Sequence, residues 1–248
     1  MLSKLSTILA VIYLVASSLA LVLISAALRA LLWPFDRQRR VQYLLSRLIA
    51  GQCFFVFPLS KVVVKGREHV AKGQAYVVTS NHQAMMDIVL LYRVPLRFRW
   101  VSKKEVYRIP LVGQLLRLNG DVCIRRGDPK SARKMMQDCS ALLGRRISIM
   151  MFPEGTRSQT GQVGRFKEGA FALAKSCNVP ILPVAIDGTR AFSSGHGGWV
   201  NVRQLFQVSI MPPISAEEVA RTDVKALQEK VHDMIRAEHS RMLAPAAS

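Results

Sequence analysis

The sequence predicts an α/β fold: roughly seven strands in a mostly parallel or mixed sheet flanked by helices, with an N-terminal membrane-associated helical segment. Two observations carry this expectation. From residue 61 onward, short runs rich in β-branched and aromatic residues alternate with stretches of helical periodicity, the pattern of a sheet covered by helices. Ahead of them stands an uncharged run, LSTILAVIYLVASSLALVLISAAL, from Leu5 to Leu28.

As a helix, the 24 residues of that run extend about 36 Å, enough for a hydrocarbon core of about 30 Å. A cleaved signal peptide is the alternative, since small residues such as Ala26 and Ala27 are present. The apolar region of a signal peptide spans only about 7 to 15 residues, so the length favours a retained anchor. Lys4 precedes the run, whereas Arg29, Arg37, Arg39 and Arg40 follow it. The positive-inside rule then sets the rest of the chain in the cytoplasm, at an inner or cytoplasmic membrane, provided the segment spans and does not lie in one leaflet. Residues 36–57 begin with charges and end nearly all apolar, which fits either an interfacial helix or one packed against the domain.

Seven strands are expected at KVVVKG (61–66), AYVVTS (75–80), FRWVS (98–102), VCIR (122–125), ISIMMF (147–152), ILPVAID (181–187) and FQVSIM (206–211). Helical patterns fall at about 84–93, 111–118, 129–143, 168–177 and 223–241. The chain therefore divides into anchoring helices at 1–57, an α/β domain at 58–242 and a frayed tail at 243–248.

The 248 residues are 50% hydrophobic and carry a formal net charge of +19, which calls for an anionic partner: a phospholipid surface, a phosphorylated substrate or a nucleic acid. Between Arg93 and Arg146, fourteen Lys and Arg face four acids, a net +10. Beside a membrane anchor such a segment attracts anionic headgroups. It carries no helix-turn-helix, aromatic RNA-binding motif or zinc finger, so no nucleic acid is expected. Cys53, Cys123, Cys139 and Cys177 are widely spaced, which indicates buried, reduced thiols and neither a metal nor a redox site.

The chemistry concentrates in two stretches. NHQAMMD (81–87) sets His82 and Asp87 five positions apart, where an unbroken helix at about 100° per residue would splay them about 140° apart. If the two act together, the chain must bend between a strand and a helix, and the end of AYVVTS provides that junction. Asp87 accepting from one ring nitrogen would fix the tautomer and leave the other as a general base. No GxSxG or similar nucleophile motif accompanies them, so the base would activate a substrate hydroxyl. In the second stretch, FPEGTRS (152–158), a strand ends in a turn through Pro153 and Gly155 that presents Glu154, Thr156 and Arg157 where α/β sheets bind ligands. Arg157 can fork onto a phosphate.

Together these stretches resemble the NHxxxxD and FPEGTRS blocks of the glycerophospholipid acyltransferases, in the order of the 1-acylglycerol-3-phosphate acyltransferase branch. The resemblance continues through VSKKEVYRIPLVGQLLRLNGDVCIRR (101–126), GRFKEGAFALA (164–174) and VPILPV (179–184). Arg125 stands where that family carries a variable acid. The resemblance implies a membrane-bound enzyme that moves an acyl chain from acyl-CoA or an acyl carrier protein to the sn-2 hydroxyl of lysophosphatidic acid. It further implies His82 as base and Asp87 as its orienting partner, with no acyl-enzyme and no metal or bound cofactor. Lys103, Arg126, Glu154, Gly155, Thr156 and Arg157 would hold the glycerol phosphate. Ala84, Met85 and Met86 are expected to form part of an apolar wall for the acyl chain. Glycerol 3-phosphate or a lyso-ornithine lipid is an alternative acceptor, and a non-catalytic basic scaffold is the reading from another class. His69, His196, His232 and His239 match no motif and are expected as surface or partly buried side chains.

Overall fold

The computed structural model describes residues 4–56, 59–193 and 203–244. Helix α1, Lys4–Leu31, begins the chain and holds the uncharged run. Its segment Ile8–Leu31 is long and apolar enough to cross a membrane and only 11% buried, so this is no core helix of a water-soluble domain. It turns into α2, Arg40–Val56. Residues 36–39 are not helical because the Asp36 carboxylate accepts the N–H groups of Arg40 (2.8 Å) and Val41 (2.9 Å), and so caps α2. The packed alternative holds for one face of this helix. Tyr43, Ala50 and Phe54 are buried against the domain, whereas Leu44, Leu48 and Phe55 on the same helix remain exposed.

The seven expected strands form one sheet: β1 Lys61–Lys65, β2 Val77–Ser80, β3 Phe98–Lys103, β4 Val122–Ile124, β5 Ser148–Met151, β6 Ile181–Asp187 and β7 Leu205–Ile210. Their order is β1-β7-β6-β2-β5-β3-β4. All neighbours pair in parallel except β6 and β7, so the sheet is mixed, with β1 and β7 running against the other five. β2 starts later than its apolar run because the Tyr76 N–H donates to Ser148 Oγ (3.0 Å) instead of joining the ladder.

Helices α3 (Met86–Leu91), α4 (Val112–Asn119), α5 (Pro129–Gly144), α6 (Gly169–Cys177) and α9 (Val224–Leu243) fall on the five predicted patterns. Asp128 caps α5 by accepting from Lys130 N–H (3.0 Å) and Ser131 N–H (3.2 Å), with Pro129 in the first turn. Two short helices escape the periodicity: α7 (Thr189–Ser193) and α8 (Ala216–Arg221). The second carried a local signal, since Ser215 accepts from Glu218 N–H (3.2 Å) as in a capping box. α9 extends through Leu243, and the remainder of the expected tail, 245–248, lies outside the described residues, as does His196.

Helices cover both sheet faces. On one, Tyr43 and Phe54 of α2 and Leu90 and Leu91 of α3 pack on Phe98, Trp100 and Phe206. On the other, Phe171 and Leu173 of α6 and Leu227, Val231 and Ile235 of α9 pack on Val77, Ile149 and Ile181. The four cysteines are free, but only Cys139 is buried; Cys123 on the edge strand β4 is exposed.

Candidate active site

The site is built on the C-terminal ends of the parallel strands, the side of an open α/β sheet where ligands bind. The chain leaves β2 through Asn81, which is 1% exposed. Its amide donates to Ile186 O and accepts from Ile186 N–H, both at 2.9 Å, and so acts as an extra rung between β2 and β6. This fixes the direction in which His82 departs.

The bend required by the NHQAMMD spacing is present. Residues 81–83 have no regular structure, 84 and 85 turn, and the helix begins at Met86. Asp87, fully buried, thus points back over its own N-terminus. Its Oδ2 accepts from the N–H groups of Gln83 (2.6 Å) and Ala84 (2.9 Å) and lies 2.7 Å from His82 Nδ1. Two fixed backbone donors anchor the carboxylate oxygen, so the ring nitrogen facing it is the one that carries the proton. The imidazole stacks on Phe152, ring centroids 3.9 Å apart and planes 11° from parallel. Among the described residues Nε2 has no hydrogen-bond partner, and the His82 side chain is 14% exposed. Asp87, the tautomer and the free Nε2 together give an arrangement that can serve as an oriented base.

The second motif holds the first. Glu154, 7% exposed, accepts from the backbone N–H of His82 (2.8 Å) through Oε1 and from Gly164 N–H (2.9 Å) through Oε2. Ser158 N–H donates to His82 O (2.8 Å). Both backbone polar groups of the histidine are therefore held by the loop after β5. Burial pushes the Glu154 carboxyl above the usual range, and the N–H bonds from His82 and Gly164 oppose that rise. The sequence reading assigned Glu154 to the phosphate. The structure instead turns its carboxylate onto backbone donors, and a phosphate beside it would meet like charge.

A cleft of about 180 Å³ opens next to this loop. Lys103 at the end of β3, Arg126 just beyond β4 and Lys167 give it positive charge, and Gly155 contributes backbone to its wall. Phe152, Met151, Met135 and Val101 make the rest apolar. Phe152 is also the ring against which His82 stacks, so one aromatic side chain separates the imidazole from the cationic cleft. Burial pulls the Arg126 guanidinium down and Glu105 opposes it. Gly155 has φ +74°, and a Cβ there would also stand 3.2 Å from Lys167 Nζ, so glycine suits both the turn and the closeness of the ammonium.

Lys103, Arg126 and Gly155 are thus brought together, whereas Thr156 and Arg157 are exposed on the loop and do not line the cleft. Sequence reasoning missed Lys167. Its backbone N–H bonds to Pro153 O (2.9 Å), and only this return of the loop on itself brings the lysine to Gly155. It also missed His239, expected at the surface or partly buried but only 1% exposed, whose Nε2 lies 2.6 Å from Gln83 Nε2 and 3.4 Å from Asp187 Oδ1. Ala84 and Met86 are buried, and only Met85 of the apolar trio faces outward. Among the described residues no three His, Cys, Asp or Glu side chains group as a metal site.

Comparison with known proteins gives this geometry a family. The sequence model of the acyltransferase family matches residues 61–187. A chloroplastic 1-acyl-sn-glycerol-3-phosphate acyltransferase of Brassica napus is 33% identical over 170 residues, which is 67% of this chain and 49% of that protein. One from Limnanthes douglasii is 30% identical over 224 residues, 87% of this chain and 78% of the relative. The match with the Brassica napus relative thus spans about half of that protein's length. In structure, the 1-acyl-sn-glycerophosphate acyltransferase PlsC of Thermotoga maritima superposes with a TM-score of 0.77 over 99% of both chains at 23% identity, which speaks to the fold. The chain belongs to the acyltransferase family.

Proposed function

We propose that the protein transfers a fatty acyl chain from an acyl thioester to the sn-2 hydroxyl of 1-acyl-sn-glycerol 3-phosphate, giving phosphatidate. The observation that carries this reading is the free Nε2 of an Asp87-oriented His82, set one ring away from a cleft lined by Lys103, Arg126 and Lys167. A phosphate held there places a hydroxyl a short glycerol spacing away, within reach of the base.

His82 Nε2 removes the hydroxyl proton as the oxygen attacks the thioester carbonyl, and the Asp87 carboxylate stabilises the imidazolium that forms. The tetrahedral intermediate collapses with cleavage of the C–S bond. The departing thiolate takes the proton from Nε2, so the histidine returns neutral and no acyl-enzyme intervenes. Lys103, Arg126 and Lys167 bind the phosphate, with backbone at Gly155, while Glu154 positions His82. The apolar part of the cleft, Val101, Met135 and Met151, suits the lipid's hydrocarbon.

α1 keeps the enzyme at the bilayer in which its acceptor resides, and the excess of arginine after the apolar run favours a catalytic domain on the cytoplasmic side. The donor is acyl-CoA or acyl carrier protein. Thiol release from either donor, measured with lysophosphatidate, glycerol 3-phosphate, lyso-ornithine lipid or no acceptor, tests the assignment. Release that requires lysophosphatidate is expected. Equal release with a phosphate-free acceptor contradicts it.

A further inference from the structure

A cavity of about 490 Å³ lies at the opposite end of the sheet, where residues 119, 120 and 147, just ahead of β4 and β5, and Arg99 of β3 meet the turn between α1 and α2. Arg29, Arg37, Arg39, Arg99 and Arg145 line it, and no Asp or Glu does. Two of these arginines are already engaged. Arg99 Nη2 donates to the carbonyls of Gln38 (2.7 Å) and Arg39 (3.3 Å), and Arg39 Nη1 donates to those of Arg117 (2.7 Å) and Leu118 (3.2 Å). They hold the helical turn to the domain.

The other three keep their hydrogen-bonding capacity, although Arg29 also lies over the Trp33 ring. Among the described residues, the side chains of Arg29, Arg37 and Arg145 make no hydrogen bond, and Nη1 of Arg29 is buried without a partner. Asn119, 2% exposed, also lines the cavity with its Oδ1 unpartnered. Folded proteins pair nearly all such buried groups, so Arg29 Nη1 and Asn119 Oδ1 leave one open donor and one open acceptor at this cavity, beside the exposed guanidinium groups of Arg37 and Arg145. The nearest acids do not supply it: Asp36 caps α2, and Asp121 is engaged by the Trp100 N–H at 2.9 Å. Burial, followed by the charges of Arg29 and Arg99, pulls the Arg39 guanidinium down, a repulsion that a bound anion relieves.

We infer that this cavity binds the phosphate group of an anionic phospholipid whose acyl chains lie along α1. Planar guanidinium forks match tetrahedral phosphate oxygens, and the open Asn119 oxygen takes a P–OH or a headgroup hydroxyl. The lipid source follows from position. Arg29 lies near the end of the apolar segment of α1, its guanidinium rests 4.4 Å from the Trp33 ring centroid, and Leu31, Trp33 and Phe35 are exposed beside the cavity. Such an aromatic and arginine border is where headgroups sit. The site is separate from the catalytic cleft and does not depend on the acyl-transfer reading.

The test uses the full-length protein in detergent, with phosphatidylglycerol, phosphatidylcholine and soluble glycerol phosphate as probes and native mass spectrometry as the readout. Arg37→Gln/Arg145→Gln removes two exposed arginines that make no side-chain hydrogen bond among the described residues. Wild type is expected to retain one phosphatidylglycerol in preference to phosphatidylcholine. The double variant, shown folded by circular dichroism, should bind it about 25-fold more weakly, from about five-fold per arginine near an anionic surface. Arg37→Lys/Arg145→Lys, which keeps the charge but loses the planar fork, should fall between wild type and the Gln variant. Equal retention by the Gln variant, or equal binding of phosphatidylcholine, overturns the site. Soluble glycerol phosphate binding as tightly as the lipid overturns the lipid source.

Discussion

The Glu154 carboxylate accepts the backbone N–H of His82 at 2.8 Å, so the loop after β5 holds the main chain of the proposed base. The second oxygen of the same carboxylate takes Gly164 N–H at 2.9 Å. In Glu154→Gln one oxygen becomes an amide NH2 and faces a backbone donor. A buried donor left unpaired costs about 1–3 kcal/mol. Thermal unfolding is expected to shift down by that order and turnover to fall, with the KM for lysophosphatidate little changed. A large rise in KM with normal stability would return Glu154 to the phosphate.

Asp87→Asn separates orientation from charge. The Asn carbonyl can still accept from Gln83 and Ala84 N–H, which keeps the turn, but it no longer balances the imidazolium. We expect turnover to drop by roughly 10²–10⁴-fold, the range for losing effective general-base catalysis, with unfolding temperature nearly unchanged. Stopped-flow or steady-state thiol release measures it, and wild-type turnover contradicts the pair.

The cleft and the exposed loop residues make different predictions. Lys103→Gln, Arg126→Gln and Lys167→Gln should each raise the KM for lysophosphatidate, by about ten-fold or more for loss of a charge-assisted contact to phosphate. Arg157→Gln, whose side chain stands outside the cleft, should have a smaller effect. The reverse ranking in KM would put the phosphate on the exposed loop.

A buried carboxyl sets the pH dependence of stability. Asp121 is pushed up to about 7 by burial, against the pull of Arg99 and the hydrogen bond from Trp100 N–H. A carboxyl raised in the folded state binds a proton there that the unfolded chain has released. Its contribution is therefore complete below the ordinary aspartate range and is lost as pH rises through about 7. Unfolding temperature is expected to fall across that window, and Asp121→Asn, which still accepts from Trp100, should flatten the decline. An unchanged slope in the variant assigns the dependence elsewhere.

Much of this was legible in the residues, and the gaps have physical causes. The seven strands are apolar runs flanked by turn residues, so periodicity and composition suffice. Their pairing is not local: β1 joins β7, and only tertiary packing reports that. Helix geometry established only that His82 and Asp87 cannot meet on a continuous helix; the bend that joins them was readable as a condition, at the junction after AYVVTS. The orientation of Glu154 was not legible because a carboxylate within a ligand-binding motif gives no sign whether it faces solvent or backbone donors. Lys167 and His239 reach the site only through the fold of a loop and the docking of α9, and neither has a spacing signal. Asn81 shows the same limit: its two bonds to Ile186 act between strands far apart in sequence.

The central claim is that His82 is the base for attack by the acceptor hydroxyl, and His82→Ala tests it most directly. Thiol release from an acyl thioester in the presence of lysophosphatidate should fall by about 10³-fold or more, with circular dichroism and unfolding temperature close to wild type. A folded His82→Ala protein that retains most of its lysophosphatidate-dependent turnover would contradict the account.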